Sequence, residues 1–333
     1  MAINLKVKKI AINGLGRIGR LFLRSALEMG LNVVAINDIT DVKTLAYLIK
    51  HDSVYRWFDQ DIEVGTDYLK IGKRKIMVFS EKDPANLPWK KLMIDVVVES
   101  TGLFTDKESA SKHIQAGAKR VLISAPSKNP DITIVMGVND EALKETHKVI
   151  SMGSCTTNGL APVAKVLEDS FGIKKGFMTT AHAYTADQEL VDAPHKKLRR
   201  GRAAALNIVP TNSGATDSVV EAIPTLKGKL VGFALRVPVP SGSIVDFVAE
   251  LNKEVTVEQV NAAFKKASDQ GKLAGILEYT EDEIVSSDIL GTKYSSIVDG
   301  QLTLVLGNTV KVFAWYDNEF GYAHRLAEFA KIL

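Results

Sequence analysis

The sequence predicts two domains of different class, an α/β domain with a doubly wound parallel sheet and an α+β domain with a largely antiparallel sheet. In the first half, short β-branched runs alternate with helical patterns, as in doubly wound sheets. In the second half, strand-like runs follow one another at hairpin spacing. A length of 333 residues, 46% of them apolar, is sufficient for about two cores. We therefore place the domains at residues 1–153 and 154–318, with 319–333 forming a helix that packs back on the first.

The strands of the first domain are predicted from short apolar runs that suit burial on both faces of a parallel sheet. These runs cover residues 7–12, 32–37, 94–99, 121–124, 132–136 and 149–151. The clearest helical pattern between them runs from Thr105 to Gly117, with Thr105 and Glu108 spaced as a capping box.

A glycine-rich loop follows the first strand and opens a helix. Gly14, Gly16 and Gly19 form the pattern G-x-G-x-x-G, and Asp38 ends the next strand. In a Rossmann-type domain such glycines let the backbone approach a pyrophosphate, and the acid binds the adenosine ribose. Asp38 would repel a 2′-phosphate, which favours NAD over NADP. The alternative is a glycine turn that only packs helix on strand, with Asp38 solvated.

The second domain is predicted to be mostly antiparallel. Strand-like runs cover 175–181, 231–237, 244–251, 302–306 and 309–315, and Gly307-Asn308 separates the last two as a hairpin turn would. A helix is predicted from Thr256, which forms a capping box with Gln259, to about Gln270. The closing helix carries Leu326 and Phe329 at core spacing.

Cys155, the single cysteine, lies where a helical pattern begins, so that Ser154 or Cys155 starts the helix. Helix-start N–H groups favour an anion, which predicts a lowered pKa for the thiol and a nucleophilic thiolate. The alternative is a buried cysteine that acts as a small apolar residue. One cysteine excludes an internal disulfide, in agreement with a reducing compartment. With no run near the ~18 apolar residues of a membrane span, we expect a cytoplasmic protein without a membrane partner.

His182 is the candidate base, because it ends a strand-like run where a side chain can face a cleft. The alternative is a structural histidine. The other five histidines lie in polar or helical stretches and are expected to be exposed: His51, His113, His147, His195 and His324. No histidine, cysteine or carboxylate spacing suits zinc, so no metal is expected.

Two groups of cations are candidate anion sites. The segment 195–202 (HKKLRRGR) is suited to phosphate contacts or forms a solvated basic face. Arg236 interrupts an apolar strand and needs an anionic partner, either a ligand phosphate or a carboxylate of the protein. The net charge of +3 is too small to imply nucleic acid.

Five segments together resemble the phosphorylating glyceraldehyde-3-phosphate dehydrogenases of the bacterial type, along the whole chain. They are GSCTTN at 153–158, HAYTADQ at 182–188, LRR at 198–200, VPTNSGA at 209–215 and WYDNEFGY at 315–322.

The resemblance implies phosphorylating oxidation of glyceraldehyde 3-phosphate to 1,3-bisphosphoglycerate in glycolysis, with Cys155 as nucleophile and His182 as base. It implies a thiohemiacetal and then a thioester that inorganic phosphate attacks. Thr185 and Arg236 would bind the substrate phosphate, Arg200 either phosphate. The attacking phosphate would contact Ser154, Thr156, Ser213 and Gly214. NAD would contact Gly14, Gly16, Arg17, Ile18, Gly19, Asp38, Lys82, Ser124 and Asn318. A homotetramer is implied.

Two other functions stay open. One is a relative that oxidises erythrose 4-phosphate and releases the thioester by hydrolysis. The other is a non-catalytic protein that uses its nucleotide domain for binding. One departure bears on phosphate: ATDS at 215–218 replaces the usual Ala-Ala-Lys-Ala, which removes a cation and adds Asp217 near the phosphate loop.

Overall fold

The computed structural model describes residues 8–333, so Val7, the start of the first predicted strand, lies outside the described residues. Residue contacts divide the chain into two units. Of the described residues, unit 1 contains 8–133, 143–152 and 323–333. Unit 2 contains 134–142 and 153–322.

Unit 1 is built on a mostly parallel sheet with the strand order β3-β4-β5-β2-β1-β6-β7-β9-β8. Its strands are β1 (Lys9–Asn13), β2 (Asn32–Asn37), β3 (Ile62–Val64), β4 (Tyr68–Ile71), β5 (Arg74–Phe79), β6 (Val96–Glu99), β7 (Arg120–Ile123), β8 (Ile132–Thr133) and β9 (Val149–Ser151). The central strands β1, β6 and β7 pair in parallel and are buried on both faces, as their β-branched sequences predict.

The helices of unit 1 connect these strands. They are α1 (Arg17–Glu28), α2 (Val42–Lys50), α3 (Trp89–Leu92), α4 (Lys107–Ala110) and α5 (Lys112–Gln115), with a 3-10 turn at Pro84–Asn86. The predicted capping box of Thr105 and Glu108 is wrong by one residue. Asp106 is the N-cap, and its carboxylate accepts from Ser109 N at 2.9 Å. The Asp106 carboxylate accepts hydrogen bonds from both the backbone N–H and the hydroxyl of Ser109, so Asp106 rather than Thr105 is the N-cap.

Two further predictions for unit 1 need correction. The run 132–136 is a strand only at Ile132–Thr133, because Val135 N donates to Asn139 Oδ1 and the chain turns away from the sheet. The edge strands β3, β4 and β5 were not predicted. They pair antiparallel, and they are short and half-exposed.

Unit 2 is built on a sheet with the strand order β11-β12-β10-β13-β16-β15-β14. Its strands are β10 (Ile173–Ala183), β11 (Val209–Asn212), β12 (Leu230–Val237), β13 (Ser243–Leu251), β14 (Leu277–Thr280), β15 (Ser296–Leu306) and β16 (Thr309–Tyr316). Its helices are α6 (Cys155–Phe171), α7 (Ala215–Ala222) and α8 (Val257–Asp269), and α9 (Phe320–Ile332) follows. The 3-10 turns lie at Asp140–Ala142, Leu198–Gly201, Pro224–Leu226 and Gly271–Leu273.

The sheet of unit 2 is largely antiparallel, as predicted, but β10 and β12 pair in parallel. Parallel neighbours require a long crossover, and the segment between them contains the basic cluster, β11 and α7. In this register His182 pairs with Arg236. Helix α6 is buried along most of its length beneath the sheet and anchors the core of the unit.

Among the described residues, no helix is long and apolar enough to cross a membrane.

Candidate active site

Cys155 is the first helical residue of α6, which confirms the predicted helix start. Ser154 is the N-cap: its Oγ accepts from Thr157 N at 3.0 Å, and its own N–H donates to Thr157 Oγ1 at 3.0 Å. Gly153 precedes them with φ +61, and a Cβ there would lie 2.8 Å from Thr157 Cγ2. The turn therefore requires glycine, and it presents the sulfur at the amino end of the helix.

The Cys155 sulfur contacts the imidazole of His182. Sγ lies 3.3 Å from Nε2, and the opposite ring nitrogen, Nδ1, lies 2.6 Å from the carbonyl oxygen of Ala183. A carbonyl only accepts, so Nδ1 carries the proton and Nε2 is left with a lone pair directed at the sulfur. The backbone of β10 thus holds the tautomer that a base requires.

Both groups of this pair are neutral. Burial first, and then the positive charge of Arg236, lower the pKa of His182 to about 3. Burial also raises the pKa of the Cys155 thiol, although Arg236 and hydrogen bonds from Thr156 oppose this effect. The expectation of a lowered thiol pKa at the helix start is therefore wrong for the protein without ligands. Loss of solvent outweighs the helix N–H groups and the nearby cation.

Arg236 lies beside the pair and contacts neutral groups. Its Nη1 donates to Thr185 Oγ1 at 2.9 Å and to Ala183 O at 3.3 Å. Its buried Nε has no hydrogen-bond partner in the described part of the chain, and none of the carboxylates described there lies within ion-pair distance. Of the two partners that the sequence left open, a ligand anion is the one that fits.

Arg200 is buried and lies near Arg236. Burial lowers the pKa of Arg200 most, and the positive charge of Arg236 lowers it in addition. Its Nε donates to Thr211 Oγ1 at 3.0 Å, and its Nη1 is ion-paired with Asp187. Asp187 also lies 3.6 Å from His195 Nε2. Within the basic cluster, Arg200 is therefore buried, while Arg199 is exposed.

The remaining predicted phosphate residues lie at helix starts. Ser154 caps α6, and Thr156 follows Cys155. Ser213 and Gly214 precede α7, where Gly214 is the N-cap and Ser213 Oγ accepts from Ala215 N at 3.2 Å. Both helix starts offer N–H groups that suit an anion.

Sequence reasoning missed Tyr316 and Thr180. Tyr316 Oη lies 2.9 Å from Thr156 Oγ1 and 2.7 Å from Thr180 Oγ1, and its ring contacts the ring of His182 edge-on. The alternation of β16 predicts an inward Tyr316 after Ala314, so the period-two pattern was the available signal. Sequence reasoning was also wrong in expecting His113 and His324 to be exposed. Both are buried, and His113 contacts Glu99 and Trp89 in unit 1.

The glycine-rich loop of unit 1 has the geometry of a nucleotide site. Gly14 has φ +90, and a Cβ on Gly19 would lie 2.1 Å from Gly14 O, so both positions require glycine. Gly16 caps α1 without a side-chain hydrogen bond, and Arg17 and Ile18 are the first two residues of the helix. The amino end of a helix suits a pyrophosphate.

Asp38 accepts from Leu15 N at 2.6 Å and from Thr40 N at 2.9 Å, which fixes its carboxylate beside the loop. The Arg17 side chain is ion-paired with Asp52 at 2.5 Å. Lys82 is exposed in the loop after β5, and Ser124 follows β7 directly. These residues fit an adenine dinucleotide with a free ribose 2′-hydroxyl.

Asn318 belongs to unit 2 and is buried. Its Oδ1 accepts from Gly242 N at 3.0 Å and from Ser243 Oγ at 2.9 Å. These two donors fix the orientation of the amide.

A Rossmann-type unit with this loop, in a chain that also carries a cysteine paired with a neutral histidine, defines an NAD-dependent oxidoreductase. Comparison with known proteins is more specific. Residues 8–107 match the family model of the glyceraldehyde 3-phosphate dehydrogenase NAD binding domain, and residues 154–318 match that of its C-terminal domain. The chain belongs to the glyceraldehyde-3-phosphate dehydrogenase family.

Curated relatives agree over nearly the full length. The chain is 55% identical over 325 residues to the glyceraldehyde-3-phosphate dehydrogenase of Geobacillus stearothermophilus, with 97% of each chain covered. It is 54% identical over 324 residues to that of Streptomyces coelicolor, with 96% of each covered. It is 53% identical over 325 residues to glyceraldehyde-3-phosphate dehydrogenase 1 of Bacillus subtilis, with 97% of each covered.

Proposed function

We propose that this protein oxidises D-glyceraldehyde 3-phosphate and captures inorganic phosphate to form 1,3-bisphosphoglycerate, through a thiohemiacetal and a thioester on Cys155. The carrying observation is the 3.3 Å contact between Cys155 Sγ and the unprotonated Nε2 of His182. A nucleophile and a base whose tautomer is held by a third group are the parts that acyl transfer through sulfur requires.

The substrate phosphate is assigned to Arg236 and Thr185, with Arg200 nearby. Arg236 Nε is buried without a hydrogen-bond partner among the described residues, which leaves it for an oxygen of the ligand. Nη1 of the same guanidinium donates to Thr185 Oγ1 at 2.9 Å. A dianion at this place also offsets the repulsion between the two arginines.

The residues then handle one proton. As the sulfur attacks the aldehyde carbon, the thiol proton passes to His182 Nε2 and from there to the aldehyde oxygen, which becomes the thiohemiacetal hydroxyl. The Cys155 backbone N–H stabilises the developing oxyanion. His182 takes the hydroxyl proton back as the carbon is oxidised to the thioester. NAD, which the glycine loop, Asp38 and Ser124 of unit 1 would bind, would supply the hydride acceptor.

The second phosphate attacks the carbonyl carbon of the thioester. The C–S bond breaks, Cys155 leaves as the thiolate, and the proton held by His182 returns to the sulfur. Ser154 and Thr156 at the start of α6, with Ser213 and Gly214 at the start of α7, are the groups assigned to this phosphate. Helix-start N–H groups hold an anion without a second cation.

The decisive experiment is the initial rate of NADH formation from glyceraldehyde 3-phosphate and NAD, with inorganic phosphate present and then omitted. The proposal expects the rate to collapse without phosphate. A rate indifferent to phosphate would mean that water resolves the thioester. Erythrose 4-phosphate should then be tested as the substrate.

The Cys155→Ser variant separates catalysis from packing. We expect loss of turnover with NAD affinity retained, because serine has nearly the shape of cysteine and the change leaves the glycine-rich loop and Asp38 intact. A variant that keeps its rate but melts at lower temperature would instead assign Cys155 to the core.

We further propose a homo-oligomer, a homotetramer by resemblance. Phe177, Val231 and Phe233 lie on one face of the adjacent strands β10 and β12 and are 61%, 56% and 46% exposed. Large apolar side chains clustered on a sheet face are typical of an interface. A second copy of the chain is the partner that closed symmetry provides most simply.

A further inference from the structure

Three neighbouring strands of unit 1 end in polar side chains that pair with one another. Asn37, Asn13 and Glu99 are the last residues of β2, β1 and β6, and they are in register across the sheet. All three are buried. Asn37 Nδ2 donates to Asn13 Oδ1 at 2.7 Å, and Asn13 Nδ2 donates to Glu99 Oε2 at 2.6 Å. A hydrogen-bonded row thus crosses the sheet at the carboxyl ends of its strands, the edge at which Rossmann-type domains bind a dinucleotide.

The backbone of Glu81 fixes the direction of this row. Glu81 N donates to Asn37 Oδ1 at 2.8 Å, and Asn37 Nδ2 donates to Glu81 O at 2.9 Å, so the amide of Asn37 has one possible orientation. Asn37 must therefore donate to Asn13, whose own NH2 group is left to donate to Glu99.

His113 presents a second donor to the same carboxylate oxygen. The indole Nε1 of Trp89, which can only donate, lies 3.0 Å from His113 Nδ1. That nitrogen must accept, so the proton of the ring is on Nε2, 3.0 Å from Glu99 Oε2. Both rings are fully buried. His113 is therefore a neutral donor to Glu99.

The other oxygen of this carboxylate binds Thr101. Glu99 Oε1 accepts from Thr101 N at 2.8 Å and from the Thr101 hydroxyl. In the part of the chain that the structure describes, the carboxylate is thus held by four neutral donors, two at each oxygen. An ionised carboxylate, which only accepts, is the group that satisfies all four.

Thr101 in turn lies directly against the first glycine of the nucleotide loop. A Cβ on Gly14 would lie 2.7 Å from Thr101 N and 2.8 Å from Thr101 Cα. Ser100 adds a hydrogen bond between the same two segments, because its Oγ donates to Gly14 O at 2.7 Å. The position of the turn after β6 therefore determines the space that is open to the glycine loop.

We propose that Glu99 is a positioning residue for the pyrophosphate of NAD: its buried carboxylate holds Thr101 against Gly14 and so keeps the glycine loop in the conformation that admits the phosphates. The arrangement is rigid, because movement of any of the four donors would leave a buried polar group unsatisfied. A loop that is already ordered loses less conformational freedom when a ligand binds.

Glu99→Gln tests this proposal. Glutamine offers one acceptor oxygen and one NH2 group, so two donors oppose the NH2 group whichever way the amide faces. Neither Asn13 nor His113 can reverse, because Glu81 and Trp89 fix them. We expect the Kd for NAD, measured by titration calorimetry on the full chain, to rise about tenfold, as loss of one hydrogen bond to a charge allows.

Asp95→Asn is the matched control. Asp95 precedes β6 at the opposite end of the same strand, where its carboxylate accepts from Lys9 N at 2.8 Å and from Lys119 Nζ at 2.6 Å. It makes the same exchange of carboxylate for amide, but at the sheet edge away from the loop. Both variants should unfold at lower urea concentration, whereas Glu99→Gln alone should weaken NAD binding. An unchanged Kd in Glu99→Gln, or an equal rise in both variants, overturns the proposal.

Fragments of NAD separate the glycine loop from the ribose site. ADP-ribose carries the pyrophosphate, whereas adenosine lacks it. Asp38 keeps its hydrogen bonds from Leu15 N and Thr40 N in the variant. We therefore expect Glu99→Gln to weaken ADP-ribose by the same factor as NAD and to leave the affinity for adenosine unchanged. An equal loss for adenosine rejects a role at the pyrophosphate. These measurements follow binding without turnover, so they do not depend on the reaction proposed above.

Thr101 provides a second test should Glu99→Gln fold poorly. Thr101→Val keeps the shape of the side chain but removes the hydroxyl that donates to Glu99, and should raise the Kd for NAD about three- to tenfold. Thr101→Ser keeps the hydroxyl and should recover the affinity. A Thr101→Val variant that binds NAD as tightly as the unmodified chain does rejects the positioning role of Glu99.

Discussion

His182 links the chemistry of the site to the stability of the folded chain. Its folded pKa of about 3 lies below the ordinary value of 6.5. Between these values the unfolded chain binds a proton that the folded chain does not, so acid favours unfolding. Above pH 6.5 the imidazole is neutral in both states and does not change the free energy of unfolding. As the pH falls from 6.5 towards 3, the free energy of unfolding decreases.

We expect His182→Gln to remove this sensitivity to acid. Between pH 7 and pH 5 the unmodified chain should lose about 2 kcal/mol more of unfolding free energy than the variant, at about 1.4 kcal/mol per unit below 6.5. Urea unfolding at the two pH values measures the difference. His51→Gln, at an exposed imidazole, is the control and should lose as much as the unmodified chain. An equally steep loss in His182→Gln would contradict a buried neutral imidazole.

Arg236 should decide selectivity for a phosphorylated aldehyde. Arg236→Gln removes a hydrogen bond to a charge, and we expect the KM for glyceraldehyde 3-phosphate to rise about 10- to 100-fold. Unphosphorylated glyceraldehyde, which lacks the anion, should be affected little. Arg199→Gln changes an exposed arginine of the basic cluster and should leave both substrates unaffected. Equal losses for both aldehydes would remove Arg236 from the phosphate site.

At single residues, the sequence predicted which side chains meet but not their ionisation. Cys155 and His182 could be selected because one begins a helix and the other ends a strand, and the structure brings them to 3.3 Å. The pKa of the thiol could not be predicted, because it depends on burial by strands that are distant in sequence. The exposure predicted for His113 failed for the same reason: Glu99 and Trp89 enclose it from other elements.

At the level of elements, the start of α7 differs from the usual family sequence by an added acid, and the effect of this difference on phosphate can be tested. Asp217 lies in the first turn, three residues after Gly214 and four after Ser213, the two phosphate residues. A carboxylate there stabilises the helix but opposes an anion at the same N–H groups. We expect Asp217→Asn to lower the KM for inorganic phosphate by about two- to fivefold, as a surface charge effect of up to ~1 kcal/mol allows.

Glu221→Gln makes the same charge change on the same helix, one turn further from its start, and serves as the control. The KM for phosphate should stay unchanged in that variant. If the KM for phosphate falls by the same factor in both variants, the cause is the change in net charge and not the position of Asp217. The ratio of the two KM values therefore isolates the position of Asp217.

The start of α8 carried a local signal and was predicted, whereas the direction of β12 relative to β10 and the edge strands were not. The Thr256 and Gln259 capping box starts α8 as expected. The parallel pairing of β10 with β12 was not expected, because strand direction is set by the long crossover between them rather than by either sequence. The edge strands β3 to β5 were missed because they bury few side chains and so lack a clear pattern.

At the level of the whole molecule, the exposed apolar face of β10 and β12 predicts self-association. A double variant, Phe177→Glu with Phe233→Glu, places two like charges on that face, and burying them without partners would be costly. We expect a smaller assembly by light scattering coupled to size exclusion, with the fold retained by circular dichroism. Met93→Glu, at an exposed apolar side chain of unit 1, is the control and should keep the assembly size of the unmodified chain. An unchanged mass for the double variant would place the interface elsewhere, because a sheet face that tolerates two carboxylates is in contact with water.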